Sequence, residues 1–141
     1  MTLNVFTDGS GNGVYGFLVK RGTDIIKEEN GPIHAEVVSN NVSEYYALIK
    51  ALEWLKASGF ESLEVSVHSD SMLVVEQMRG NWRIKDGAYV DFYAKAREVA
   101  NGFSSITFTW IPRQKNKSAD SLTRGRRARH ELPIYSRSSI R

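Results

Sequence analysis

The 141-residue sequence contains no cysteine, only three prolines, and no apolar run longer than a few residues. Without cysteine there is no disulfide, no thiolate metal site and no cysteine nucleophile. That composition fits a reducing, cytoplasmic compartment. The longest apolar stretches, such as Gly16-Phe17-Leu18-Val19, are far too short to span a bilayer, and the first residues lack the apolar core of a signal peptide. We therefore expect no membrane partner. Net charge is also small, at +3. The basic pI hints at an acidic partner, but a charge of that size is a weak argument. What is present is ordinary for a globular protein: 41% hydrophobic and 25% charged residues. The length suggests one domain, able to bury about two thirds of its unfolded surface without staples.

The charge is unevenly placed. Residues 124–141 hold six arginines and one acid, so that segment carries +5 and the remainder −2. Arg113, Lys115 and Lys117 form a second basic group just before it. The last third attracts anions, although a run such as Arg124–Arg129 also reads as a solvated helix end.

Period-two alternation marks Thr2–Asp8 as a strand, with Leu3, Val5 and Thr7 on one face. After the Gly9–Gly13 turn, Val14–Lys20 and Ile25–Glu29 complete a three-stranded antiparallel meander. The period then becomes helical at Tyr45, Leu48, Ile49, Leu52 and Leu55, stopped by Gly59. Asn41 with Glu44 has the form of a capping box. Leu63, Val65 and Val67 alternate as a fourth strand ending at Ser69-Asp70. Helices follow over Ser71–Met78 and Tyr89–Val99, then a strand over Ile106–Trp110 and a helix from Ser118 to about Ala128. The order βββαβααβα predicts an α/β fold: a five-stranded mixed sheet flanked by helices.

Four acids stand out. Each has a structural explanation. Asp8 suits a turn before Gly9, Glu44 a capping box, Asp70 the cap of the next helix, and Asp120 the dipole of the last helix. Together they suggest a site. Asp8 and Asp70 end strands one and four, and parallel neighbours would bring them side by side, with Glu44 on the connecting helix. Carboxylates in contact repel, and hard, oxygen-ligated cations such as Mg²⁺ or Mn²⁺ relieve the repulsion. Paired ions of this kind serve phosphodiester hydrolysis.

The sequence resembles a type 1 ribonuclease H at Phe6-Thr7-Asp8-Gly9-Ser10, at Asn40-Asn41-Val42-Ser43-Glu44-Tyr45-Tyr46-Ala47-Leu48, at Ser69-Asp70-Ser71, and from Trp110-Ile111-Pro112-Arg113 through Asn116-Lys117-Ser118-Ala119-Asp120. These motifs fall in order over roughly residues 1–123, and Gln77–Lys85 looks like the compact bacterial and archaeal branch. The resemblance implies a sheet ordered 3-2-1-4-5 with only the second strand antiparallel. It implies a monomeric endonuclease that cuts the RNA strand of RNA–DNA hybrids with two Mg²⁺ ions, Mn²⁺ substituting, and leaves 5′-phosphate and 3′-hydroxyl ends. By the same resemblance Asp8 bridges both metals, Glu44 and Asp70 hold the one on the leaving-group side, and Asp120 holds the one that activates water. It further implies substrate contacts at Gly9, Ser10, Asn12, Asn40, Asn41, Ser71, Arg113, Lys115 and Asn116. Trp82 falls near an aromatic that packs on the DNA strand's sugars, or else is a partly buried core residue. We expect a ribonuclease H domain over residues 1–129 and a basic tail over 130–141.

There are departures from the family pattern. No histidine precedes the fourth acid, where the loop reads Arg113-Gln114-Lys115-Asn116-Lys117. No basic handle lies between Trp82 and Tyr89, so grip on a hybrid would fall to the Arg113–Lys117 loop and the tail. Met72 stands where several relatives carry a polar groove contact. His68 is expected near the site or on the surface. Two alternatives remain open: a non-catalytic nucleic-acid-binding module on the same fold, and a related nuclease also acting on double-stranded RNA. The start at Met1 and the small size favour a free-standing enzyme over a fragment of a polyprotein.

Overall fold

The computed structural model describes residues 1–124. The expected tail over 130–141, the domain limit at 129 and the end of the last helix lie outside the described residues. The chain runs through β1 (Thr2–Ser10), β2 (Val14–Arg21), β3 (Asp24–Pro32), α1 (Asn40–Ala57), β4 (Glu64–Ser69), α2 (Met72–Met78), α3 (Val90–Ala100), β5 (Ser105–Trp110), a 3₁₀ turn (Arg113–Lys115) and α4 (Lys117–Thr123). The order expected from periodicity is the order observed, with the 3₁₀ turn added.

The sheet order is β3-β2-β1-β4-β5. Only β2 runs against the others: it is antiparallel to β1 and β3, while β1–β4 and β4–β5 are parallel. Strand β1 is therefore central. Its Leu3, Val5 and Thr7 are buried beneath α1, as the alternation predicts. Helix α1 places Val42, Tyr45, Leu48, Leu52 and Leu55 in the main core, which α2 and α3 complete. On the other face Ala119 and Leu122 of α4 pack on Leu18, with Phe6 and Ile25 alongside.

Two local differences from the sequence expectation matter. Strand β1 does not stop at Asp8. It continues to Ser10, paired with Val14, and the tight connection is closed by Gly13 at φ +85°. A left-handed residue there suits glycine. Helix α1 is capped by Ser39, whose Oγ accepts from Val42 N–H at 3.2 Å. The Asn41/Glu44 capping box does not form, because Asn41 already lies inside the helix and Glu44 is directed elsewhere. Among the described residues α4 covers Lys117–Thr123, followed by Arg124.

Candidate active site

The parallel pairing of β1 with β4 puts Thr7 opposite Ser69, so the next residues, Asp8 and Asp70, emerge at adjacent strand ends. Helix α1 crosses β1 at Gly9. A Cβ at that position would lie 2.1 Å from the Ser43 carbonyl oxygen, so glycine is what permits the approach. The contact directs Glu44 inward, where its Oε1 accepts from Gly9 N–H at 3.2 Å. One carboxylate oxygen each from Asp8, Glu44 and Asp70 then lies within 4.8 Å of the others.

For three of these acids the structural explanation fails. Asp8 is in a strand, not a turn, and is 6% exposed. Ser39 caps α1 in place of the Asn41/Glu44 pair. Ser71 caps α2 in place of Asp70, accepting from Val74 N–H at 3.3 Å. Asp120 keeps its place in the first turn of α4 and also pairs with Arg124, Nε to Oδ2 at 3.2 Å. It lies within hydrogen-bonding reach of Asp8 but outside the tight cluster of three.

Burial raises the proton affinity of all three clustered acids, and crowding adds to it at Asp8 and Glu44. Burial, then the charge of Asp70 and a hydrogen bond that protonated Asp8 donates to Asp120, push Asp8 up to about 8, against an opposing pull from Arg113. Burial, with Asp8 and Asp70 nearby, raises Glu44 to about 9, although Gly9 N–H and Arg113 oppose the shift. Asp70 is also raised, chiefly by burial, with Arg113 opposing. Arg113 Nε is 3.8 Å from Asp70 Oδ2 but its side chain is 80% exposed, so it compensates weakly. Three hard oxygen donors that the exposed Arg113 compensates only weakly are a fitting donor set for Mg²⁺ or Mn²⁺.

The cleft around the cluster is lined by Gly9, Ser10, Asn40, Asn41, Ser71 and Arg113, in addition to the four acids. Four other expected contacts lie outside that lining. Asn12 sits in the β1–β2 turn, its N–H donating to Ser10 Oγ. Lys115 opens into a different hollow beside Lys20 and Phe6. Trp82 lies on the segment between α2 and α3, 46% exposed, so it is no core residue. Asn116 is 1% exposed; its Nδ2 donates to the Thr7 carbonyl at 2.9 Å, and its side chain also hydrogen-bonds to Asp70. It ties the loop after β5 to the end of β1, and Asp120 N–H donates to its carbonyl at 3.0 Å. The sequence reading passed over Gly11 and Arg124 as cleft residues. The four-residue spacing of Asp120 and Arg124 was the available signal. His68 stacks on Phe6, centroids 4.7 Å apart, and is half-buried on the α4 face rather than in the cleft or on the open surface.

A mixed sheet of this order, with carboxylates converging at the ends of β1 and β4, defines a ribonuclease H-like domain. The chain belongs to the family described as reverse transcriptase-like, whose pattern matches residues 5–125. It is 40% identical over 84 residues to the bifunctional protein Rv2228c of Mycobacterium tuberculosis, a match covering 60% of this chain and 22% of that protein. It is 33% identical to the ribonuclease HI of Halobacterium salinarum over 125 residues, covering 85% of this chain and 61% of the relative. The chain thus spans about a fifth of the first relative and three fifths of the second. Among solved structures, the N-terminal ribonuclease H domain of Rv2228c superposes with a TM-score of 0.78 at 33% identity, covering 88% of this chain and 91% of that one. The Halobacterium enzyme gives 0.77 at 32% identity, covering 86% and 94%. LC11-RNase H1 in complex with an RNA/DNA hybrid gives 0.73 at 31%, covering 86% and 91%.

Proposed function

We propose that this chain is an endonuclease that hydrolyses the RNA strand of RNA–DNA hybrids, with Asp8, Glu44, Asp70 and Asp120 as its catalytic residues. The observation that carries the reading is the convergence of three carboxylates whose proton affinities are all raised by burial, with mutual repulsion adding to the shift at Asp8 and Glu44. Such a cluster costs stability unless a cation occupies it, and stability alone gives no reason to keep it. The relatives add support, since one solved neighbour is described bound to an RNA/DNA hybrid.

In this reading Asp8, Glu44 and Asp70 hold divalent cations, two Mg²⁺ per site with Mn²⁺ as substitute, and Asp120 completes the set from α4. Bound ions of this kind supply a nucleophile at neutral pH and stabilise charge on the departing 3′-oxygen, giving 5′-phosphate and 3′-hydroxyl ends. The protein's part is placement. Gly9 N–H orients Glu44, Asn116 fixes the loop that carries Asp120, and Trp110 Nε1 donates to the Asp70 carbonyl at 3.2 Å. Asn40 and Asn41 open the first turn of α1 at the cleft and suit contacts with ribose 2′-hydroxyls, the groups that distinguish RNA from DNA. Arg113, mostly exposed beside Asp70, suits a phosphate oxygen.

The test is cleavage of matched RNA–DNA, RNA–RNA and DNA–DNA duplexes with Mg²⁺, Mn²⁺ or no divalent ion. Cutting of the hybrid's RNA strand, dependent on the ion, is the expected result. No cleavage in either ion, with hybrid binding retained, would make the chain a binding module instead.

A further inference from the structure

Residues 79–89, between α2 and α3, contain no helix or strand, yet they are tied down from beneath. Gln77 of α2 is 2% exposed. Its Oε1 accepts from the Tyr45 hydroxyl at 2.6 Å. Its Nε2 donates to the Arg83 carbonyl and to the Tyr89 hydroxyl oxygen, both at 3.1 Å. The same Tyr89 oxygen accepts from Lys85 N–H at 2.8 Å. The rings of Tyr45 and Tyr89 stack at 6.0 Å, and a Cβ on Gly87 would come within 3.2 Å of the Tyr89 ring. Every polar atom of the Gln77 amide end is thus engaged. An apolar residue would fill this volume without needing partners. The amide instead fixes backbone groups of a surface segment.

That segment faces a hollow whose floor is Gln77 and Tyr89 and whose rim carries Trp82, Arg83 and Lys85. An exposed tryptophan beside two cations is suited to a nucleic-acid strand: an apolar face for a sugar or base, and charge for phosphates. Tyr45 directly follows Glu44 on α1. One helix turn therefore carries both a clustered carboxylate and the inner end of the network.

We propose that Gln77 is a positioning residue which, through Tyr45 and Tyr89, holds Trp82, Arg83 and Lys85 at a fixed offset from the carboxylates and so sets the register in which a nucleic-acid duplex seats on the chain. This rests on the hybrid-nuclease reading. The network does not touch the reacting atoms, so it acts on substrate binding rather than on bond cleavage.

The experiment measures KM, kcat and hybrid affinity for the wild type, Gln77→Met, Tyr89→Phe, Trp82→Ala and the Gln77→Met/Trp82→Ala double variant. Hydrogen exchange at the Lys85 amide is followed in parallel. Gln77→Met keeps the volume and removes the hydrogen bonds. KM should rise about tenfold in Gln77→Met and in Trp82→Ala, the scale of losing one aromatic contact to a nucleotide. The change in kcat should stay within a factor of about two. The double variant should lose less than the sum of the two single losses, because both changes remove the Trp82 contact. Lys85 exchange should quicken in Gln77→Met and Tyr89→Phe. If Gln77→Met does not fold, Tyr89→Phe carries the same expectation with a smaller perturbation. A wild-type KM in the folded variants, or additive losses in the double variant, overturns the proposal. A wild-type chain that binds hybrid in a Gln77-dependent way but never cuts it overturns the nuclease reading and leaves the positioning role standing. One that neither binds nor cuts overturns both.

Discussion

Glu44 illustrates how a residue's meaning depends on its surroundings. In the sequence it is three residues after an asparagine at the start of a helix, and a capping box is the economical explanation. In the fold Ser39 takes the cap, and Glu44 is left facing two aspartates with one backbone N–H for company. The same reversal applies to Asp70, displaced from capping duty by Ser71. Replacing either acid should therefore affect chemistry and stability in opposite directions. Asp70→Asn should lower cleavage on the order of a thousandfold or more, the equivalent of several kcal/mol of transition-state stabilisation. In chelator it should raise the melting temperature at pH 8, because a repelling charge is gone. An unchanged cleavage rate would remove Asp70 from the catalytic set. The pH dependence has a definite sign. Asp8 and Glu44 titrate near 8 and 9 when folded, against ordinary values of 3.8 and 4.5. The folded chain therefore keeps protons that the unfolded chain has released. The stability this contributes is full below about pH 4 and is lost as pH rises toward 9. Thermal melts in chelator should fall across that window, and saturating Mg²⁺ should flatten the decline by binding only the folded site.

At the scale of elements, the strand and helix periods were plain in the sequence because each element has one buried face. Leu52 and Leu55 of α1 are fully buried, as the 3.6-residue recurrence predicts. Leu52→Ala should cost about 2–5 kcal/mol in denaturant unfolding without altering the cleft. The less readable feature was the crossing of α1 over β1. Gly9 looked like part of a turn. It is instead a strand residue at which helix backbone approaches within the reach of a Cβ. Gly9→Ala should destabilise by about 1–3 kcal/mol, as overpacking does, and should reduce cleavage by more than the folded fraction accounts for, since Glu44 moves with the helix. Asn116 was hard to place for a related reason. Its motif position suggested a surface contact, whereas its amide is buried against Thr7.

At the scale of the molecule, the small net charge of +3 conceals an acidic cluster and a basic C-terminal third. Residues 125–141 lie outside the described structure, but their charge bears on binding. A chain truncated before Glu131 loses Arg137 and Arg141. If both meet phosphates, hybrid affinity should weaken and the log–log salt slope should flatten by about two, and an unchanged slope would exclude the tail from the grip.

The sequence by itself determined the order of elements, the residues of the core and the four acids worth attention, because periodicity and motif spacing are local properties of a chain. Only the tertiary structure decided which explanation of those acids holds. Caps were reassigned to Ser39 and Ser71, three carboxylates from β1, α1 and the end of β4 were brought within 4.8 Å, and Gln77 was joined to a loop that no spacing rule connects to it. Repulsion and burial act through space between residues distant in sequence, so a linear reading could name the participants but could not show that they converge.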